Sequence, residues 1–285
     1  MSTIQEKMVK ISRRFPNYKV MVESYKSAME VENDCKTRKI TSNSFKDMSK
    51  DSFGDWEGVN SYEEALNLLK NGYQPTVEAL KEKIRVNRNG YSKRISFQNN
   101  IVGAVPVVPL AMIGVPNNMV DMKMKPIKCK VLDIYYDMTC GAGTSSDRII
   151  KNGQKLLGAI MDLEKQGYKF NLYAVQSYSS EESVDVLTVK IKSSNQPFDL
   201  KKMSFPLTHT AFFRVIGFDW YSKTPKGTYR PAYGRALGYT MNKEEQNIFA
   251  REVFGKGAIY ISGSEISKYE EEHIKEVLLT NEKAK

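Results

Sequence analysis

Between Lys130 and Leu279 the spacing of apolar residues changes repeatedly, and each change predicts a new element. Lys130–Asp137 is a nearly continuous apolar run, the pattern of a buried strand. From Asp147 to Gln166, Ile150, Leu156, Leu157, Ile160, Met161 and Leu163 recur at helical spacing, and Gly167 stops the helix. Lys169–Tyr178 reads as the next strand. Val184–Lys192 alternates apolar and polar residues, as a half-exposed strand would. Helical patterns cover His209–Trp220 and Glu244–Phe254, Ala258–Ser262 is a short strand, and Ser267–Leu279 a closing helix. Strands alternating with helices predict a three-layer α/β domain over residues 130–285, its sheet mainly parallel and covered on both faces.

Three patterns precede it. Residues 1–52 form a polar segment, with a helix expected over Asn17–Val31 and a Ser-, Thr-, Asn- and Lys-rich linker over Lys36–Lys50. Residues 53–94 predict a helical hairpin. Ser61 with Glu64 has capping-box spacing, Tyr62, Ala65, Leu66 and Leu69 share a face, and Gly72 ends the first helix. Pro75 opens the second, whose apolar side is Val77, Leu80 and Ile84. Residues 95–129 hold Gly103, Pro106, Pro109, Gly114 and Pro116, which forbid a continuous helix. This irregular connector is expected to be short extended pieces packed on the core.

The apolar run Ile101–Val115 is shorter than a bilayer span and carries two prolines, so a membrane helix is not expected. The opening MSTIQEKMVKISRRF lacks the apolar stretch of a secretory signal, and the expected location is the cytoplasm. Net charge is +10 at pI near 9.2, which favours a polyanion or an acidic surface as partner. The densest basic stretch is Lys81, Lys83, Arg85, Arg88, Lys93 and Arg94, with Tyr91 and Phe97 placed to stack on bases. Tyr221–Arg235, with Lys223, Lys226 and Arg230 among Gly and Pro, reads as a surface loop able to join a nucleic-acid-binding face. Three cysteines, with no CxxC, and two histidines argue against a disulfide framework or a zinc cage.

Ligands of open α/β sheets sit at the carboxyl ends of strands. Two polar segments fall there: Asp137-Met138-Thr139-Cys140-Gly141-Ala142-Gly143-Thr144-Ser145-Ser146 after the first strand, and Pro206-Leu207-Thr208-His209-Thr210 before a helix. Together they resemble the metal-ion-dependent adhesion site of von Willebrand factor A domains. That resemblance implies Asp137, Thr139 and Thr208 as ligands of Mg²⁺ or Mn²⁺, a hard cation suited to one carboxylate, hydroxyls and water. Gly141 stands where the family has a second Ser, and after Ile261 the chain offers Glu265 in place of an Asp. Without the metal, Asp137 would cap the following turn. Two other readings remain at this loop. Its backbone N–H groups would suit an anion, though no GxGxxG is present. Cys140 with Asp137 and His209 would make a thiol site of unrecognised spacing.

Trp56–Ala65 with Leu68–Tyr73, and Gly103–Pro109 with Gly114–Met119, resemble a family of uncharacterised phage and mobile-element proteins. That likeness implies a context and no activity. A-type domains inside cells commonly act as adaptors, often with AAA+ ATPase partners. The expectation is therefore a non-enzymatic interaction protein that binds a protein partner at the sheet's carboxyl edge. RNA or DNA binding through residues 81–94 and 221–235 is the alternative.

Overall fold

The computed structural model describes residues 2–41, 48, 50–87, 93–126, 130–224 and 235–283. The chain runs β1 (Thr3–Val9), β2 (Tyr18–Tyr25), α1 (Ala28–Thr37), α2 (Tyr62–Asn71) and α3 (Gln74–Asn87). Then come β3 (Lys93–Asn100), β4 (Val105–Pro106), α4 (Val108–Met112) and β5 (Met119–Pro126). The main alternation follows with β6 (Val131–Asp137), α5 (Ser146–Lys165), β7 (Lys169–Ser179), β8 (Ser183–Lys192) and α6 (Leu200–Thr208). A π-helical stretch, Phe212–Gly217, leads into α7 (Phe218–Lys223). The chain closes with α8 (Leu237–Thr240), α9 (Lys243–Phe254), β9 (Ala258–Ser262), α10 (Gly263–Ile266) and α11 (Glu271–Lys283).

Six strands form one sheet in the order β1-β2-β8-β7-β6-β9. The pairings β2–β8, β6–β7 and β6–β9 are parallel, and β1–β2 and β7–β8 are antiparallel. The fold is a three-layer α/β sandwich around a mixed sheet. One face packs Leu132, Ile134, Leu172 and Leu187 beneath α5 and its neighbours, including Leu156, Ile160 and Leu163. The other packs Val20, Val22, Val175 and Val184 beneath α8 and α9, through Leu237, Phe249 and Val253.

Local chemistry sets the helix ends. Ser145 caps α5 by accepting the Arg148 N–H, with Asp147 in the first turn and Lys165 in the last, as the helix dipole favours. Asn242 and Glu245 make a reciprocal capping box on α9. Ser61 caps α2, and Gly72, at φ 78°, returns its N–H to the Leu68 carbonyl.

Four expectations need correction. The helix expected over Asn17–Val31 is β2 followed by α1, which Ser27 caps. In β2, Tyr18, Val20 and Val22 enter one core while Met21 and Tyr25 enter the other, so its apolar content is a two-faced strand. Strand β8 is buried on both faces, Leu187 and Val189 in one core and Val184 and Val186 in the other, and β2 outside it keeps it from the sheet edge. Its alternating Asp185 and Thr188 are therefore interior. The closing helix starts at Glu271, after the short α10.

Residues 95–126 also differ from a connector laid on the core. β3, β5 and β4 form their own antiparallel sheet in that order, and no residue from Phe97 to Asp121 is buried. Its glycines and prolines interrupt the strands without preventing them.

Candidate functional site

Asp137 ends β6, the strand flanked by β7 and β9, and is completely buried. Its Oδ1 accepts the Thr139 N–H at 2.9 Å, while Oδ2 accepts the hydroxyls of Ser177 on β7 and Tyr260 on β9. Thr139 Oγ1 accepts the Ser177 N–H at 2.8 Å, and Ser177 Oγ accepts the Leu237 N–H at 2.9 Å. One carboxylate thus joins three strands and the start of α8. Burial pushes the Asp137 pKa up from its ordinary 3.8, against the downward pull of these hydrogen bonds. Burial, reinforced by Asp137, also holds the Tyr260 phenol well above its ordinary range.

The loop that follows is held from its far side by Arg214, a fully buried residue of the π-helical stretch. Its Nη2 donates to the Thr144 carbonyl at 2.6 Å, and its Nη1 donates to the Trp56 carbonyl and to Ser146 Oγ. The guanidinium also lies 4.1 Å from the centre of the Trp56 ring, a cation–π stack. Trp56 Nε1 completes the tie by donating to the Ala142 carbonyl at 3.0 Å. Burial draws the Arg214 pKa below its ordinary value.

Around this fixed loop lie two adjoining clefts that share Cys140 and Tyr239. The smaller, of about 230 Å³, is bordered by Arg148, Asn152 and Ser264 and reaches α10. The larger, of about 640 Å³, is lined by Trp56, Tyr178, Phe213, Phe218 and Tyr239, with Arg235 beside them. A concave aromatic surface with a few polar groups is the composition of a binding site.

Asp137 and Thr139 thus come together, whereas the Thr208 hydroxyl is engaged by other partners. Thr208 Oγ1 donates to the Ser204 carbonyl at 2.6 Å and pairs with Thr76 Oγ1 of α3 at 3.0 Å. Its neighbour across the helix crossing is Gly153 of α5. Glu265 accepts Lys243 Nζ at 2.6 Å. Among the described residues no cluster of three His, Cys, Asp or Glu side chains could hold a metal ion. His209 is buried beside Tyr73, its Nδ1 accepts the Ala211 N–H, and burial pulls its pKa down to about 4. It is a neutral core residue at pH 7. The Cys140 thiol is pushed up by burial, with Arg214 pulling the other way.

Of the basic stretch, Lys81 is exposed, while Lys83 pairs with Glu271 and lies 3.8 Å from Asp162. Arg88 and the side chains of Arg85, Lys93 and Arg94 lie outside the described residues. Residues 225–234 of the expected surface loop lie outside them too. Tyr221 and Lys223 are buried in α7, where Lys223 pairs with Asp219 at 2.7 Å. Arg235 exchanges backbone hydrogen bonds with Ser179, the end of β7. Sequence reasoning did not find Arg214 or the aromatic cleft. The signal was a lone charge within the apolar run Ala211–Phe218.

A family model described as a domain of unknown function (DUF7192) matches residues 4–282. The chain belongs to the DUF7192 family. The match takes in β1 and runs into α11, so the N-terminal strands and the small sheet are part of the DUF7192 unit. No curated protein and no solved structure matches the chain. Among the described residues no helix is long and apolar enough to cross a membrane.

Proposed function

We propose that the protein is a non-enzymatic interaction protein of a phage or mobile element, holding a protein partner at the carboxyl edge of its main sheet. The observation that carries this reading is the aromatic cleft on the loop that Asp137 and Arg214 hold from either side. Binding energy concentrates in a few aromatic and Arg anchors within rigid, water-excluding pockets. Here Trp56, Tyr178, Phe218 and Tyr239 supply the aromatic surface, and Arg235 a polar contact. The hydrogen bonds around Asp137 suit a loop that must hold its shape before a partner arrives. An Asp closing one strand, followed by Thr139 in a polar loop, supports an A-type domain. That likeness makes an AAA+ ATPase the first partner to test.

The test is affinity capture from the native host with wild type, Tyr239→Glu and Ala142→Arg. Tyr239 is 57% exposed, so its replacement leaves the core intact. A specific partner should be lost with both variants and retained when a distant surface residue, Lys256, is changed to Glu. Capture unaffected by either cleft variant would overturn the reading. The alternative, RNA or DNA binding, is supported by the net charge of +10 and the exposed Lys81. Salt-sensitive retention on polynucleotides, lost on reversing Lys81, Arg85, Arg88 and Arg94, would put it first.

A further inference from the structure

The small sheet β3-β5-β4 is regular structure without a core of its own. From Phe97 to Asp121 none of its residues is buried, although Val102, Met112 and Ile113 are among the most exposed large apolar side chains of the chain. Backbone hydrogen bonds hold it together: Ala104 N–H to the Val120 carbonyl at 2.8 Å and Val107 N–H to the Asn118 carbonyl at 2.6 Å. Ordering a strand costs backbone entropy that hydrogen bonds exchanged with water barely offset, so a small sheet needs an apolar face covered.

The register shows which face that is. Val105 and Asn99 both sit opposite Val120, and Phe97 sits opposite Met122. By strand alternation the positions of Ile95, Phe97, Asn99, Val105, Val120, Met122 and Met124 share one face, with Lys93 at its base. Arg94, Ser96, Gln98, Asp121, Lys123 and Lys125 take positions on the other. No charged residue occurs between Arg94 and Asp121.

We infer that this face is covered by the same face of a second copy of the chain, in a two-fold dimer. Three features single out that occupant. Phe97 and Val105 on this face, and Ile101, Val102, Val108, Met112 and Ile113 in the connections at the sheet's tip, are each more than half exposed, and the seven residues together expose on the order of 800 Å². That is about what one partner gives to a stable interface. A charge-free patch on a chain of net charge +10 offers nothing to attract an acidic protein, yet a second copy meets it without repulsion. Finally, the basic positions cluster at the base of the sheet, and β3 has eight residues, about 26 Å from base to tip. An antiparallel two-fold arrangement sets the two bases apart by more than a Debye length of about 8–10 Å. An anionic membrane fits less well, since interfacial insertion reaches only about 5–10 Å and would leave those basic positions far from the headgroups.

Sedimentation velocity on the full chain, over a wide concentration range, tests this directly. Wild type should sediment as a dimer, and Phe97→Glu with Val105→Glu as a monomer that keeps the circular dichroism of the main α/β fold. Met112→Glu is the second variant if the first folds poorly, and it should weaken the dimer in the same direction. Tyr239→Glu should leave the dimer intact, which separates this interface from the carboxyl-edge cleft. A wild type that stays monomeric throughout would overturn the proposal, as would a dimer indifferent to both substitutions. Flotation of monomeric protein with anionic vesicles, lost in Phe97→Glu with Val105→Glu, would assign the face to a lipid surface instead.

Discussion

Asp137 and His209 are both buried ionisable side chains, and they should make stability depend on pH in opposite senses. Asp137 has its pKa raised in the folded protein, so the folded chain takes up that proton before the unfolded one. Its contribution is complete below the ordinary 3.8 and is lost as pH rises through the raised value. His209 titrates near 4 when folded and near 6.5 when unfolded, so the unfolded chain is protonated first. Stability from His209 is complete above 6.5 and falls by up to roughly 3 kcal/mol as the pH drops toward 4. Urea denaturation at a series of pH values checks both. His209→Gln should abolish the loss on acidification, and Asp137→Asn should abolish the opposing gain; curves parallel to wild type would contradict these assignments. Tyr260→Phe removes one hydroxyl donor from the buried Asp137 and should cost about 1–3 kcal/mol at neutral pH, read from the same denaturation series.

Among the described glycines, the closest approach to a backbone atom is at the crossing of α5 and α6. A Cβ on Gly153 would lie 2.1 Å from the Leu207 carbonyl oxygen and 2.7 Å from the Thr208 Cα. Both are backbone atoms, so Gly153→Ala must move a helix and should cost about 1–3 kcal/mol, measurable as a lower thermal midpoint. Elements with local signals were legible in sequence. Strand β9 and α9 follow from a short apolar run and a helical apolar pattern, and the Ser61–Gly72 helix from its cap and terminal glycine. Features that depend on a distant neighbour were not: β2 reads locally as helix, and β8 as a strand with one exposed face. β2 and β8 carry polar residues among apolar ones, and only their mutual pairing shows that Glu23 and Asp185 are interior. The candidate site divided the same way. The nearness of Thr139 to Asp137, two residues away, was legible, whereas the pairing of Thr208 with Thr76 comes through a helix packing that no local pattern encodes.

For the whole molecule, the N-terminal strands are structural members of the sheet. Glu23 of β2 is buried and accepts both terminal nitrogens of Arg38 and the indole N–H of Trp220 at 2.8 Å, tying β2 to the chain after α1 and to α7. Burial alone would raise its pKa, but these hydrogen bonds and the Arg38 charge hold it below the ordinary 4.5. Arg38→Met would leave that carboxylate buried without its cation and should cost about 3–5 kcal/mol, read by chemical denaturation. Deleting residues 3–25 would expose β8 as an edge and should yield insoluble protein, checked by soluble expression and circular dichroism.

The two tryptophans of the chain sit in contrasting places. Trp220 is sealed in the core against Glu23, while Trp56 is 38% exposed at the aromatic cleft. Intrinsic fluorescence is therefore divided between a shielded emitter that acrylamide cannot reach and an accessible one that it quenches. A ligand entering the cleft would protect only the second. The chain carries its own optical reporter of occupancy, with an internal reference, and needs no attached dye.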